Sequence, residues 1–216
     1  VQHPQPEVVQ ALTATGFTVT ATGDIWMAEH DELKLSGADP IDTQEYAVRT
    51  MRWATVTQEL RLLADVMNRS FATRPMHEDL GGADMDLLMR CLRPVIDPKL
   101  TVLCLHGDVP VGAMIGLRDC ELPAWCDRLP LSVARTMSAV LSRVQGSVCV
   151  FALGMRPEYV QSRAAKALLH GVGRALKGSR RVVTTWIDHE NPGSWLLAKR
   201  IGMRARVRYE LYHRLI

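Results

Sequence analysis

The run VFALGMRPEYVQSRAAKALL, residues 150–169, decides the reading of this chain. An apolar strand spanning Ser147–Met155 ends at Met155-Arg156-Pro157, a short loop follows, and a helix is predicted over Gln161–Leu176, starting near Ser162. The N–H groups of a helix's first turn have no carbonyl of their own to bond. They also carry the positive end of the helix dipole, so a strand–loop–helix connection of this kind is a ready-made anion site. Further on, a second apolar strand, Arg181–Ile187, ends in Asp188-His189-Glu190-Asn191, and a helix over Ser194–Arg200 closes at Gly202.

Outward from this centre the pattern alternates. Tyr46–Trp53 reads as a strand, and Thr57–Phe71 is amphipathic at helical period, with Leu60, Leu63, Val66 and Met67 on one face. A loop over Ala72–Gly82 precedes a helix carrying Met85, Leu87, Leu88, Cys91 and Leu92. Leu100–Leu105 and Val109–Leu117 form a hairpin around His106-Gly107-Asp108, Leu131–Val144 is a helix, and Arg206–Ile216 ends the chain as a strand or a pair of strands. Such alternation means an α/β sheet with helices on its faces. Residues 1–45 stand apart: a helix over Glu7–Thr15, two strand runs (Phe17–Thr20 and Ile25–Ala28) turned at Thr22-Gly23-Asp24, then an exposed linker.

The chain has 216 residues, 47% hydrophobic and 23% charged, enough apolar material for a core and too little charge for disorder. No uncharged apolar run reaches the ~20 residues that cross a bilayer, and no basic-then-apolar leader is present. A cytoplasmic protein is expected, and the opening at Val1 reads as a processed or excised piece. Five scattered cysteines without a CxxC pair, and seven histidines without HxxxH spacing, read as reduced thiols and no metal site. Residues 154–216 hold thirteen Lys/Arg against four Asp/Glu, so the final third is about +9 while the rest is about −6. That third is expected to meet an anion. Its basic residues follow no nucleic-acid recognition pattern, so a phosphate-bearing cofactor is the better reading.

Together these segments resemble the GNAT superfamily of acyl-CoA N-acyltransferases, whose fourth strand and next helix read roughly V-x-P-E-Y-R-G-x-G-x-G-x-x-L-L. Met155-Arg156-Pro157-Glu158-Tyr159 and Leu168-Leu169 fall at the matching distances. Asn191, Ser194, Leu197, Gly202 and Met203 match the later N-x-x-A-x-x-L-Y-x-x-x-G-F. The resemblance covers about residues 46–216. It implies a mixed, mostly antiparallel central sheet with splayed fourth and fifth strands and helices on both faces. Residues 1–45 are then an N-terminal extension, and the likeness of Ala11–Phe17 to Leu197–Met203 points to the remnant of a second GNAT-like copy.

The resemblance also implies a donor, acetyl-CoA or another acyl-CoA, and an amine acceptor on a small molecule or a protein, joined by direct attack in a ternary complex. Leu153 and Met155 would pair with the pantetheine arm, with a bulge at Gly154. Gln161, Ser162, Arg163, Ala164, Ala165 and Lys166 would wrap the pyrophosphate, helped by Asn191 and Ser194. Two departures are visible: Arg163 stands where the family has glycine, and Ala198 where many members carry a tyrosine acid. They leave two alternatives, a GNAT-shaped binding or regulatory module without CoA chemistry, and an acyl-carrier-protein donor. A homodimer stays open.

Amide formation needs a group to take the amine proton and another to protonate the thiolate. His189 is the titrating candidate, with Asp188 beside it, and Tyr209 or Tyr212 as replacement acids. His77, Glu78 and Asp79, in the loop between the first two helices, and Asp119, beyond the third strand, are the candidates to bind a cationic acceptor. Trp53 and Trp125 are candidates to line its pocket, whereas Trp186 and Trp195 are expected to pack.

Overall fold

The structure, a computed structural model, describes residues 5–34, 45–72, 96–119 and 146–214, with isolated positions at 79, 81, 83, 84 and 87. It is a mixed α/β fold in which every strand pairing within its units is antiparallel among the described residues. Two compact units share the chain, Val1–Lys34 with Arg181–Ile216, and Leu35–Arg180.

The second unit holds strands β2 (Tyr46–Thr50), β3 (Val102–His106), β4 (Val109–Asp119) and β5 (Ser147–Met155) in that order. Helix α2 (Val56–Phe71) presents Leu60, Leu63, Val66 and Met67 to one face, where they meet Leu103, Ala113, Ile115 and Leu117 in an apolar cluster. Burying each large aliphatic side chain of such a cluster contributes roughly 1.5–3 kcal/mol. Helix α3 (Arg163–Leu176) covers the other face. A Cβ on its Gly171 would sit 2.3 Å from Val48 Cγ1 of β2, so only glycine lets the helix lie this close. Arg49 of β2 ties the sheet to α2 through a forked pair with the buried Glu59, at 2.6 and 2.9 Å.

The first unit is built around one long strand, β1 (Thr18–Glu29), following helix α1 (Pro6–Ala14). On one side β1 pairs with β6 (Arg181–Thr184) and β7 (Ile187–Asp188), and on the other with β8 (Arg204–His213), which follows helix α4 (Pro192–Arg200). The hairpin expected over Phe17–Ala28 is therefore a single strand. Thr22-Gly23-Asp24 does not turn, because all three residues are held in ladders with Glu210, Tyr209 and Arg208. The single strand expected over Arg181–Ile187 is broken between Thr184 and Ile187.

Residues 1–34 thus belong to the unit that carries the C-terminal strands, and the units divide at 34/35 and 180/181 rather than at 45/46. Most of the linker expected over residues 31–45, the helix over 131–144, most of the helix around Leu88 and the segment around Trp125 lie outside the described residues. No helix among the described residues is long and apolar enough to cross a membrane.

Candidate functional site

The deciding stretch folds as its sequence indicates. β5 ends at Met155, Arg156 donates its N–H to Val111 O at 2.9 Å, and Pro157–Tyr159 makes one tight turn. Ser162 then caps α3, its Oγ accepting from Ala164 N at 3.1 Å. That leaves the other N–H groups of the first turn without carbonyls of their own helix. Arg163 is the first helical residue and is exposed, as is Lys166, and neither has an ion-pair partner among the described residues. Ala165 is small and half-buried where the family has glycine or alanine, whereas Ala164 is fully buried with its N–H taken by Ser162 Oγ. Arg156 is engaged by Asp65 of α2 through Nη2, while its buried Nε has no partner among the described residues. Burial pushes the Asp65 carboxyl up, but hydrogen bonds from Arg69 and Arg156 outweigh this and hold it below the usual carboxylate range.

The bulge expected at Gly154 lies elsewhere. Ile115 opposes Ala152 and Gly116 opposes Val150, so Phe151 is the extra residue of β5. Gly154 serves close packing instead: a Cβ there would meet Ser70 Oγ at 2.8 Å and Met67 Sδ at 3.2 Å. Leu153 and Met155 alternate with it and so point to the opposite face of the sheet. A second array adjoins this loop. His106 Nδ1 lies 3.1 Å from the Tyr159 hydroxyl, and its ring lies 5.1 Å from that of Tyr46, tilted by 42°. The thiol of Cys104, under the helix start, is pushed up to about 11 by burial and stays protonated.

The other unit holds the titrating candidates, and it separates them. His189 Nε2 lies 2.9 Å from Asp24 Oδ2, and Nδ1 lies 3.1 Å from the Thr22 hydroxyl. Asp24 is buried and also accepts from Arg208 Nε at 3.2 Å. Burial alone would raise its carboxyl, but the hydrogen bonds and charges of His189 and Arg208 prevail and hold it low.

Asp188 and Tyr209 both oppose Gly23, one residue out of step with Thr22 and Asp24, and therefore lie on the other face of the strand. Asp188 caps its own turn, accepting from Glu190 N at 2.9 Å. The ring of Trp186 covers Gly23, yet stays partly exposed rather than packed away. Tyr212 donates to Glu210 at 2.6 Å; this bond first, then burial, raises its hydroxyl above the ordinary tyrosine value. Asn191 and Ser194 form the cap of α4, Asn191 Oδ1 accepting from Ser194 N at 3.3 Å.

His77, Glu78 and Trp125 lie outside the described residues. Asp79 is exposed, and of Asp119 only its strand position opposite Ser147 is described. Among the described residues no group of three or more His, Cys, Asp or Glu could hold a metal ion. Sequence reasoning missed Thr22, Asp24 and Arg208. The available signal was Asp24 itself, a carboxylate immediately before the apolar Ile25 and Trp26.

Comparison with solved structures fixes the architecture. A GCN5-related N-acetyltransferase from Sphaerobacter thermophilus superimposes with a TM-score of 0.62 at 18% identity, over 96% of this chain and 56% of that one. The fold is that of the GCN5-related N-acetyltransferases. A tandem GNAT protein from the clavulanic acid biosynthesis pathway matches with a TM-score of 0.61 at 14% identity, over 97% of this chain and 58% of that one. A GCN5-related N-acetyltransferase from Kribbella flavida matches at 0.54 and 12%, over 96% and 63%. The chain thus spans somewhat more than half the length of these GNAT structures. No protein-family model matches the sequence, and no curated protein does.

Proposed function

We propose that the chain is an acyl-CoA-dependent N-acyltransferase module that passes an acyl group to an amine. The observation that carries this reading is the β5–turn–α3 connection. It joins a helix start capped by Ser162 to exposed Arg163 and Lys166 at the position where the sequence resembles the GNAT phosphate loop. In this reading the pyrophosphate binds the first-turn N–H groups of α3, with the Arg163 guanidinium replacing the missing glycine approach by a direct charge-assisted bond. The pantetheine amides run along the main chain of Leu153–Met155, where an N–H polarises the thioester carbonyl as its oxygen gains charge. Asn191 and Ser194 are joined at the cap of α4 through Asn191 Oδ1 and the Ser194 N–H, which leaves the Ser194 hydroxyl and the Asn191 amide NH2 outside that bond and able to meet the donor.

Thermal melting tests this. Acetyl-CoA at a hundredfold excess over its Kd stabilises a native protein by about 2.7 kcal/mol, which reads as a rise in Tm of several degrees. Arg163→Glu is expected to abolish the rise while leaving the unliganded Tm unchanged. Absence of any rise in the unsubstituted protein at millimolar CoA would overturn the reading.

The N-terminal segment is proposed to be the end of a second GNAT-like copy. Both α1 and α4 close on a glycine of positive φ, Gly16 at 85° and Gly202 at 91°. Gly16 N bonds Thr13 O and Phe17 N bonds Leu12 O, while Gly202 N bonds Lys199 O and Met203 N bonds Ala198 O. The two helix–glycine–strand pieces then pair β1 with β8 antiparallel. Deleting residues 1–30 removes β1, the strand that pairs with β6, β7 and β8, and is expected to abolish the cooperative melt of the chain-end unit; a melt unchanged by the deletion would show that the segment is a dispensable extension.

A further inference from the structure

One row of side chains in the unit formed by the two chain ends has the order of a nucleophile, a base and an orienting acid. Asp24 is an ionised carboxylate and can only accept, so a neutral His189 bonds it by donating from Nε2. The lone pair is then on Nδ1, which faces the Thr22 hydroxyl at 3.1 Å. The main chain fixes this arrangement as well, because His189 N donates to Thr22 O at 3.0 Å. Arg208 occupies the second oxygen of Asp24 and prevents the carboxylate from turning away.

The neighbouring hydroxyls behave differently. Those of Thr18, Thr20 and Thr184 donate to main-chain carbonyls, of His213, Leu211 and Trp26 respectively. Thr22 alone among these four turns its hydroxyl to an imidazole. Because both ring nitrogens of His189 are engaged, the base acts on Thr22 before it can act on any external amine.

We propose that Thr22 is a nucleophile that accepts an acyl group from an activated ester or thioester, with His189 as its base and Asp24 as the positioning residue. This goes beyond the donor reading and does not depend on CoA binding. In the step, the Thr22 O–H bond breaks and its proton passes to His189 Nδ1, while Oγ1 bonds the acyl carbon. The bond from that carbon to the leaving oxygen or sulfur breaks, and the departing group takes the proton back from His189. Attack by water or an amine on the threonyl ester then frees the hydroxyl.

The experiment uses the full chain with p-nitrophenyl acetate, following nitrophenolate release and locating the acetyl group by peptide mass spectrometry. The expected result is one acetyl group per chain, on Thr22. Thr22→Ser keeps the labelling, and Thr22→Val, which preserves shape, removes it. His189→Gln slows the acylation at least about 100-fold. Asp24→Asn lowers the acylation rate and shifts its pH profile, because an amide can hold either imidazole tautomer; a purely structural role would move the Tm and leave that profile in place. Persistence of the fast release in Thr22→Val, or Thr22 labelled at an undiminished rate in folded His189→Gln, overturns the proposal. A CoA melting experiment run in parallel keeps the readings apart. Thr22 labelling without a CoA shift retains this inference and rejects the donor reading, and the converse result does the reverse.

Discussion

The two units achieve their order by different means. The unit over residues 35–180 is held by apolar contact: Leu63, Leu103, Val66 and Ala113 are fully buried, between one sheet face and one helix. The unit formed from the two chain ends has a smaller apolar set, and β8 contains no fully buried residue. Across its ladders runs a polar row, Thr22, Asp24, His189 and Arg208, beside Thr184 bonded to Trp26 N. Apolar contacts are indifferent to pH and cooperative. Ionic rows are directional and titrate. A unit of the second kind is the place where proton chemistry can be built, and the place where stability is conditional.

The comparison is tested most severely in the apolar unit. Leu63→Ala removes a side chain with no exposure from the middle of the α2 face. It is expected to cost about 3–4 kcal/mol, the lost transfer energy together with the cavity left behind. Urea denaturation near neutral pH and again in mild acid should give the same loss. A strong dependence on pH would mean that the unit is not held by its core.

How much of this was legible follows from the same contrast. The elements of the apolar unit are read from local periodicity: β5 was bounded at Ser147–Met155 as observed, and the α3 cap at Ser162 falls where the strand–loop–helix pattern puts it. The chain-end unit is assembled from partners 158 to 195 residues apart, as in the Trp26–Thr184 and Thr18–His213 bonds. No window of sequence contains such a pairing. Thr22-Gly23-Asp24 has good turn composition, and tertiary ladders override it. A histidine after an apolar strand is conspicuous, so His189 stands out in the sequence. Its partners Thr22 and Asp24 do not, since nothing local ties residue 24 to residue 189. Asp188 is a candidate by adjacency to His189, and strand alternation puts it on the face opposite Thr22 and Asp24.

A sharper version of the comparison asks what a charge does inside the apolar unit. Arg49→Ala leaves Glu59, almost fully buried, without its forked partner. An uncompensated buried carboxylate typically costs 3–5 kcal/mol. Here part of the Arg49 side chain is reached by solvent, which can rehydrate Glu59 through the gap. The expected loss is therefore about 2–3 kcal/mol, the lower side of that range. Replacing both residues by apolar ones of similar size is expected to recover most of it. Failure of the double replacement to recover stability would show that the pair orients the β2–α2 connection rather than merely satisfying itself.

The smallest effect carries the most information about the ionic row. Asp24 has its carboxyl held below the usual range by His189 and Arg208, so its ionised form is favoured in the folded state. A depressed acid contributes stability that is fully present above its unfolded value, about 3.9, and that is lost as the pH falls through the folded value. Asp24→Asn is therefore expected to destabilise the protein by about 1–2 kcal/mol at neutral pH, since half-exposed His189 and Arg208 can turn to water once the charge is gone. The variant and the parent should converge only as the pH falls below the folded value, itself lower than the unfolded one, where the parent's carboxyl is protonated as well. Asp65→Asn provides the control. Its carboxyl is lowered by two arginines but is substantially exposed, so solvent screens the pair and the expected cost is below about 1 kcal/mol. A larger pH-dependent loss at Asp65 than at Asp24 would reverse the assignment of the titrating unit, since the conditional stability would then belong to the α2–β5 junction.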